Sequence, residues 1–180
     1  MIQATRSPFD TSFDVIDKGS GKFMGALEDI TLSEGSTLSW VAPRRILKAP
    51  PELPLKGGMV IQSARGHKYM VAEFAQSETS MGSPFTAYKL YEATSVMQYR
   101  CRSTTTDIRT GLEKEGQLTD PVDIYAQVEP QQEAFDRQLR IPNEKLRIIT
   151  NEPVEIDQLI DGQTIIEVHE FQGLYGVILS

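Results

Sequence analysis

Chemically versatile residues are scarce in this 180-residue chain, which has one cysteine, two histidines and one tryptophan. A single cysteine forms no internal disulfide, so nothing in the sequence marks an oxidising compartment. Cys101, His67 and His169 fall short of the clustered, regularly spaced ligands that a zinc site requires. No metal and no cofactor is expected. No apolar run approaches the roughly 18 residues needed to cross a bilayer. The opening MIQATRSPFDTSFD lacks the apolar segment of a secretory leader, and no membrane partner is expected. A basic surplus is missing too: the net charge is −7. A protein whose task is gripping phosphate backbone carries a net basic domain or stripe. All eighteen Lys and Arg lie between Arg6 and Arg147, whereas residues 151–180 hold six acids and no base.

The nucleotide and nucleophile signatures fail as well. Gly19-Ser20-Gly21-Lys22 faintly resembles a phosphate loop, but Ile16 stands where the first glycine belongs and Phe23 follows the lysine. No G-x-S-x-G elbow occurs. Cys101 falls on the apolar face of its segment, where a free cysteine acts as a small hydrophobe. No enzyme is expected.

The composition that remains is ordinary for a globular protein: 39% hydrophobic and 24% charged. A chain of this size buries about 70% of its unfolded surface, enough for a core without disulfides or metals. Alternation of period two dominates, which marks half-buried strands. Met97, Tyr99 and Cys101 alternate with Gln98, Arg100 and Arg102. Val122, Ile124, Ala126 and Val128 alternate with Asp123, Tyr125 and Gln127, which predicts a wet outer face for Gln127. Ile166 and Val168 read as core in the same way. Further strands are expected over 37–41, 59–63, 68–75, 85–92, 146–150, 164–169 and 174–179. Two hairpins look alike, each with a glycine turn, an apolar strand, a glycine loop and Tyr-x-Val (Tyr69 to Val71, Tyr175 to Val177).

The pattern predicts a mainly β fold, a small antiparallel β-barrel or sandwich. Residues 1–55 read as an extended N-terminal arm and a Pro-rich crossing, and residues 56–180 as the barrel core. One short helix is expected at about 130–139, opened by Pro130 and stopped by Pro142. Residues 103–121 (STTTDIRTGLEKEGQLTDP) read as a long polar loop. Phe9, Phe13 and Phe23 of the arm, with Arg44 and Arg45, are candidate subunit contacts, since an arm must bury surface somewhere to offset its ordering entropy.

The order from Gly57 onward is a strand-glycine-strand hairpin, two strands (85–92 and 95–102), a long polar loop, a further strand and a closing Tyr-x-Val hairpin. It resembles the small β-barrel proteins of tailed-bacteriophage necks, the head-closure or stopper class and related head-to-tail joining proteins. The resemblance covers residues 56–180 and rests on motif order. It departs from the usual form at Met59, where an acid is common. It implies a homo-oligomeric ring in the virion, made in the host cytoplasm and stacked between portal or adaptor and tail proteins. Double-stranded DNA passes through such a ring without tight binding. It implies also that a loop projects into the channel, and residues 103–121, with Asp107, Arg109, Glu113, Lys114 and Glu115, are the counterpart here. The alternatives are another tail component, such as a tail terminator or baseplate protein, or a soluble barrel binding a sugar or nucleotide through Trp40, Tyr88 and Tyr91.

Overall fold

The computed structural model describes residues 11–30, 43, 45–72, 76–80, 83–106, 109–111, 113–128 and 146–180. The fold is mainly β, and the described residues contain no helix. The helix expected at about 130–139 lies outside them, as do Phe9, Trp40, Arg44 and Asp107.

Two six-stranded rings follow one another along the chain. The first uses β1 (Thr11–Asp17), β2 (Gly21–Asp29), β3 (Arg45–Ala49), β4 (Val60–Ser63), β5 (Lys68–Val71) and β7 (Ser83–Glu92), with β6 (Gln76–Ser80) added beside β7. Pairing of Arg45–Ala49 with Thr86–Leu90 closes it. The second is a closed barrel of β8 (Ser95–Arg100), β11 (Val122–Val128), β12 (Leu146–Thr150), β13 (Leu159–Ile160), β14 (Gln163–Phe171) and β15 (Leu174–Leu179). Every pairing in both is antiparallel. Counted within its own barrel, each unit runs 1-2-3-6-5-4 around the ring. The two barrels thus share one topology.

This corrects the division at residue 55. Residues 11–29 and 45–49 supply half of the first barrel's strands, so these segments form no free arm. Phe13 is fully buried in that barrel's core and stacks on Phe23 at 5.3 Å. Phe13's apolar surface is consumed inside the barrel with Leu47, Ile61, Val71 and Leu90, which leaves it none for a subunit contact, while Phe23 is half-buried against the same core. Arg45 lies on β3 and pairs with Asp29 at 3.4 Å. The glycines, serines and acids around Phe13 hid a strand whose alternation is only Phe13 and Val15.

The second barrel fills with Met97, Ile124, Ala126, Ile148, Val154, Ile160, Ile165, Val177 and Leu179. Tyr99, Val128 and Val168 are half-buried against it, and Cys101 is half-buried at the end of β8. On β14 the fully buried residue is Ile165 rather than Ile166, because the register slips between Ile165 and Glu167 and turns Ile166 off the inner face. The two β14 turns are both left-handed at two successive positions: Asp161-Gly162 (φ 49° and 81°) and Gln172-Gly173 (φ 51° and 76°). That backbone matches the twist of two-residue hairpins and places glycine second. The two look-alike hairpins are not equivalent in the fold: β4–β5 joins the fourth and fifth strands of its barrel, β14–β15 the fifth and sixth.

The wet face expected on β11 is half dry. Gln127 is 1% exposed, and its Oε1 accepts the Glu92 N–H at 2.7 Å. The alternation was read in the right register, but the first barrel covers the outer face. Ile124→Ala should cost about 2–5 kcal/mol by chemical denaturation, the usual range for a core truncation. Gln127→Ala should cost about 1–3 kcal/mol by orphaning the Glu92 amide, and a neutral result would place Gln127 in solvent.

Candidate functional site: the inter-barrel seam and the β9–β10 hairpin

Only Ala93 and Thr94 separate β7 from β8, so the barrels must abut. Thr94 ties the link to β11: its Oγ1 accepts the Val128 N–H at 3.2 Å. The contact between the barrels is an apolar seam. Val60, Met70, Ala72 and Tyr91 of the first barrel meet Ile149 and Leu174 of the second, flanked by Ile16, Ala93, Tyr125 and Phe171. Tyr91 meets Phe171 edge-on at 5.8 Å. Burying one such side chain is worth about 1.5–3 kcal/mol, so six of them form a firm joint.

Polar groups fix its register. Asn151 is fully buried; its Nδ2 donates to Asp17 Oδ2 at 2.7 Å and Glu152 Oε1 at 3.2 Å, and its Oδ1 accepts the Tyr125 N–H at 3.1 Å. Lys18 Nζ donates to the Asn151 carbonyl and pairs with Glu152 at 3.2 Å. Backbones also meet closely: a Cβ on Gly57 would lie 2.3 Å from the Gln172 carbonyl oxygen. Asn151 is not singled out in the sequence, whose alternation puts Gln127 on a wet face.

The second feature departs from both barrels. Residues 103–121 are not a structureless loop: β9 (Arg102–Thr106) and β10 (Glu113–Leu118) form a separate two-stranded sheet, inserted between the first and second strands of the second barrel. Glu113, Lys114 and Glu115 lie on β10, opposite Thr106, Thr105 and Thr104, and Arg109 is exposed at the tip. From 102 to 118 the sequence carries three bases and three acids, so the hairpin is charge-balanced. Its root is held by the Thr119 N–H to the Cys101 carbonyl at 2.9 Å, and by the Arg102 N–H to Gln158 Oε1.

The other candidates do not converge on a site. His67 and His169 sit on different barrels, each beside its own carboxylate: Glu92 at 3.9 Å and Glu167 at 2.6 Å. Among the described residues no group of three or more His, Cys, Asp or Glu is placed to hold a metal. Tyr88 and Tyr91 face opposite sides of β7. Tyr88 lies in the first core with its hydroxyl on the Leu53 carbonyl at 2.9 Å, and Tyr91 lies in the seam. They cannot line one pocket. A shallow, mainly apolar depression of about 250 Å³ is lined by Ile149, His169, Phe171 and Gly176. No described helix is long and apolar enough to cross a membrane.

Comparison with known proteins returns no matching family model, no matching curated protein and no matching solved structure.

Gly57→Ala should wedge the seam and lower the melting temperature clearly, whereas Gly66→Ala, with only a side-chain nitrogen at 3.8 Å, should register mainly its backbone strain. Alkaline pH offers an independent probe. Burial pushes the Tyr91 hydroxyl from 10.0 up to about 12, and burial with the Cys101 thiol beside it does the same for Tyr99. The raised folded values mean that the unfolded chain loses its protons first. This contribution is complete below pH 10 and disappears as pH rises through about 12. Tyrosinate absorbance should therefore rise together with loss of β-structure in that window. Ionisation of all tyrosines near pH 10 in the folded protein would contradict the burial.

Proposed function

We propose that the protein is a non-enzymatic structural component of a bacteriophage virion, a head-to-tail connector of the stopper-like neck class. In this reading copies of the chain form a ring around the DNA channel, between portal or adaptor and tail proteins. The observation that carries it is the second barrel with its inserted hairpin. A closed, small, antiparallel barrel bears one ordered polar projection between its first and second strands, where the motif order puts the channel loop. A projection facing passing DNA must not hold phosphate, and three bases offset by three acids suit that role. The overall net charge of −7 acts the same way. The scarcity of cysteine and histidine fits a scaffold that performs no chemistry.

The tandem arrangement adds to the reading. A rigid pair of barrels joined by a dry seam makes a larger ring segment than one barrel, and closing heterologous contacts builds a ring from such segments.

The test is made on assembled particles, by imaging the neck and by mass spectrometry of cross-linked subunits. The expected result is this chain in ring-forming copy number at the head–tail junction, with cross-links from residues 109–114 into the channel. Its absence from virions would overturn the proposal. Particles assembled with residues 104–116 replaced by a short turn, which keeps the hairpin's root, should still join heads to tails but leak packaged DNA.

A further inference from the structure

The shared topology lets one barrel annotate the other. In each, the connection between the first and second strands occupies the same place in the fold. In the first barrel it is the short turn after Asp17, where Lys18 has φ 55°. That turn is an interface element. Lys18 reaches the Asn151 carbonyl and Glu152 of the second barrel, and Asp17 accepts from Asn151. In the second barrel the same connection has grown into the β9–β10 hairpin, which among the described residues pairs with no strand of either barrel.

Exposed apolar surface gathers at the hairpin's root. Five large apolar side chains are exposed among the described residues, and three of them belong here: Leu118 (45%), Val122 (55%) and Ile156 (54%). Leu118 lies opposite Arg102, whose N–H bonds Gln158 in the loop that carries Ile156. Val122 lies opposite Tyr99 on β8, and the next residue of that strand, Arg100, pairs with Leu159 at the end of the loop that carries Ile156. Hairpin root, β11 start and the loop after β12 are therefore joined into one surface. An isolated two-stranded hairpin is marginally stable in water, so its root is the part that must be anchored.

We propose that the exposed apolar residues at the root of the β9–β10 hairpin, Leu118, Val122 and Ile156, are the surface through which one copy of this chain docks on a second copy. The partner is argued from within the molecule. At the equivalent position the first barrel docks this connection on a barrel of the same fold, and a second copy offers such a barrel again. The hairpin carries three bases and three acids, so it adds no like-charge repulsion of its own at the contact. The proposal rests on the ring reading only in taking another copy as partner. It adds the contact surface, which that reading leaves open.

The experiment uses the full chain, with sedimentation velocity and native mass spectrometry over a wide concentration range. Wild-type protein is expected to self-associate with concentration. Val122→Asp and Ile156→Asp replace exposed side chains, so both variants should keep the wild-type melting temperature. Each should shift association to at least about tenfold higher concentration, the equivalent of about 1.4 kcal/mol. Met24→Asp, on an exposed first-barrel position, is the control and should leave association unchanged. A wild type that stays monomeric throughout overturns the docking proposal. So does association that survives both root variants, or that Met24→Asp weakens equally. The two readings fail separately. Self-association through the root by a protein absent from virions would sink the neck function and keep the docking surface. Neck rings assembled normally from Val122→Asp and Ile156→Asp protein would do the reverse.

Discussion

The molecule depends on a dry seam between two barrels that each have too little interior to spare. A six-stranded barrel of short strands fills its lumen with about nine side chains and leaves its outer face to water. Here four strands are covered on both faces where the barrels meet. Ile61 points into the first barrel and Val60 into the seam; Val71 and Met70 divide likewise, as do Leu90 and Tyr91, and Ile148 and Ile149 in the second barrel. Adjacent residues on a strand face opposite sides, so each doublet serves two cores at once. The seam also explains two of the four buried polar residues among those described. Asn151 and Gln127 sit where barrel edges meet, and both satisfy backbone amides that water would otherwise reach.

The same topology twice, with different decoration, separates scaffold from function. The ring order is held in both barrels, while the connections differ. The fifth-to-sixth connection is a two-residue turn in the second barrel but carries β6 in the first. The first-to-second connection is a short turn in the first barrel and the hairpin in the second. Barrels tolerate such insertions because loop closure costs only about 0.6 kcal/mol for each doubling of length. What an insertion then does is set by where it points. In the first barrel the short turn is committed to holding the partner barrel, which leaves the second barrel's hairpin as the element available for work outside the chain.

Period-two alternation made much of the second barrel legible in the sequence. Ile124, Ala126 and Met97 are core as the pattern predicts, and the strand over 146–150 lies where expected. The misses have physical reasons. β1 and β2 carry few apolar residues among glycine, serine and acids, because one aromatic pair, Phe13 on Phe23, does most of their core packing. β3 lies between prolines and was read as a crossing. β13 is two residues long, too short for any periodicity. Gln127 was assigned to water because alternation reports which residues share a face and never what lies beyond it. A signal for the seam was present: doublets such as Val60-Ile61, Met70-Val71 and Ile148-Ile149 break the alternation, as strands buried on both faces do. The hairpin was found as a long polar segment, but threonine-rich strands with charged partners read as loop.

The charge asymmetry of the chain follows in part from turn chemistry. Asp157 and Asp161 both hold left-handed backbone (φ 67° and 49°), a conformation in which Asp is enriched. Asp161 also accepts the Gln98 N–H at 2.7 Å, pinning β13's turn to β8. Glu152 is spent on Lys18 across the seam, and Glu167 on His169. The bases of the first barrel are spent likewise, Lys48 on Glu28 at 2.5 Å and Arg45 on Asp29. The acids of residues 151–180 are thus largely structural, and their uncompensated charge is a consequence that the scaffold leaves at the surface. In the proposed ring that consequence would suit the channel, since a surface with surplus acid offers phosphate a poor foothold. The residues that shape the turns of the second barrel are thus the same ones that set its charge, without any residue being set aside for that purpose.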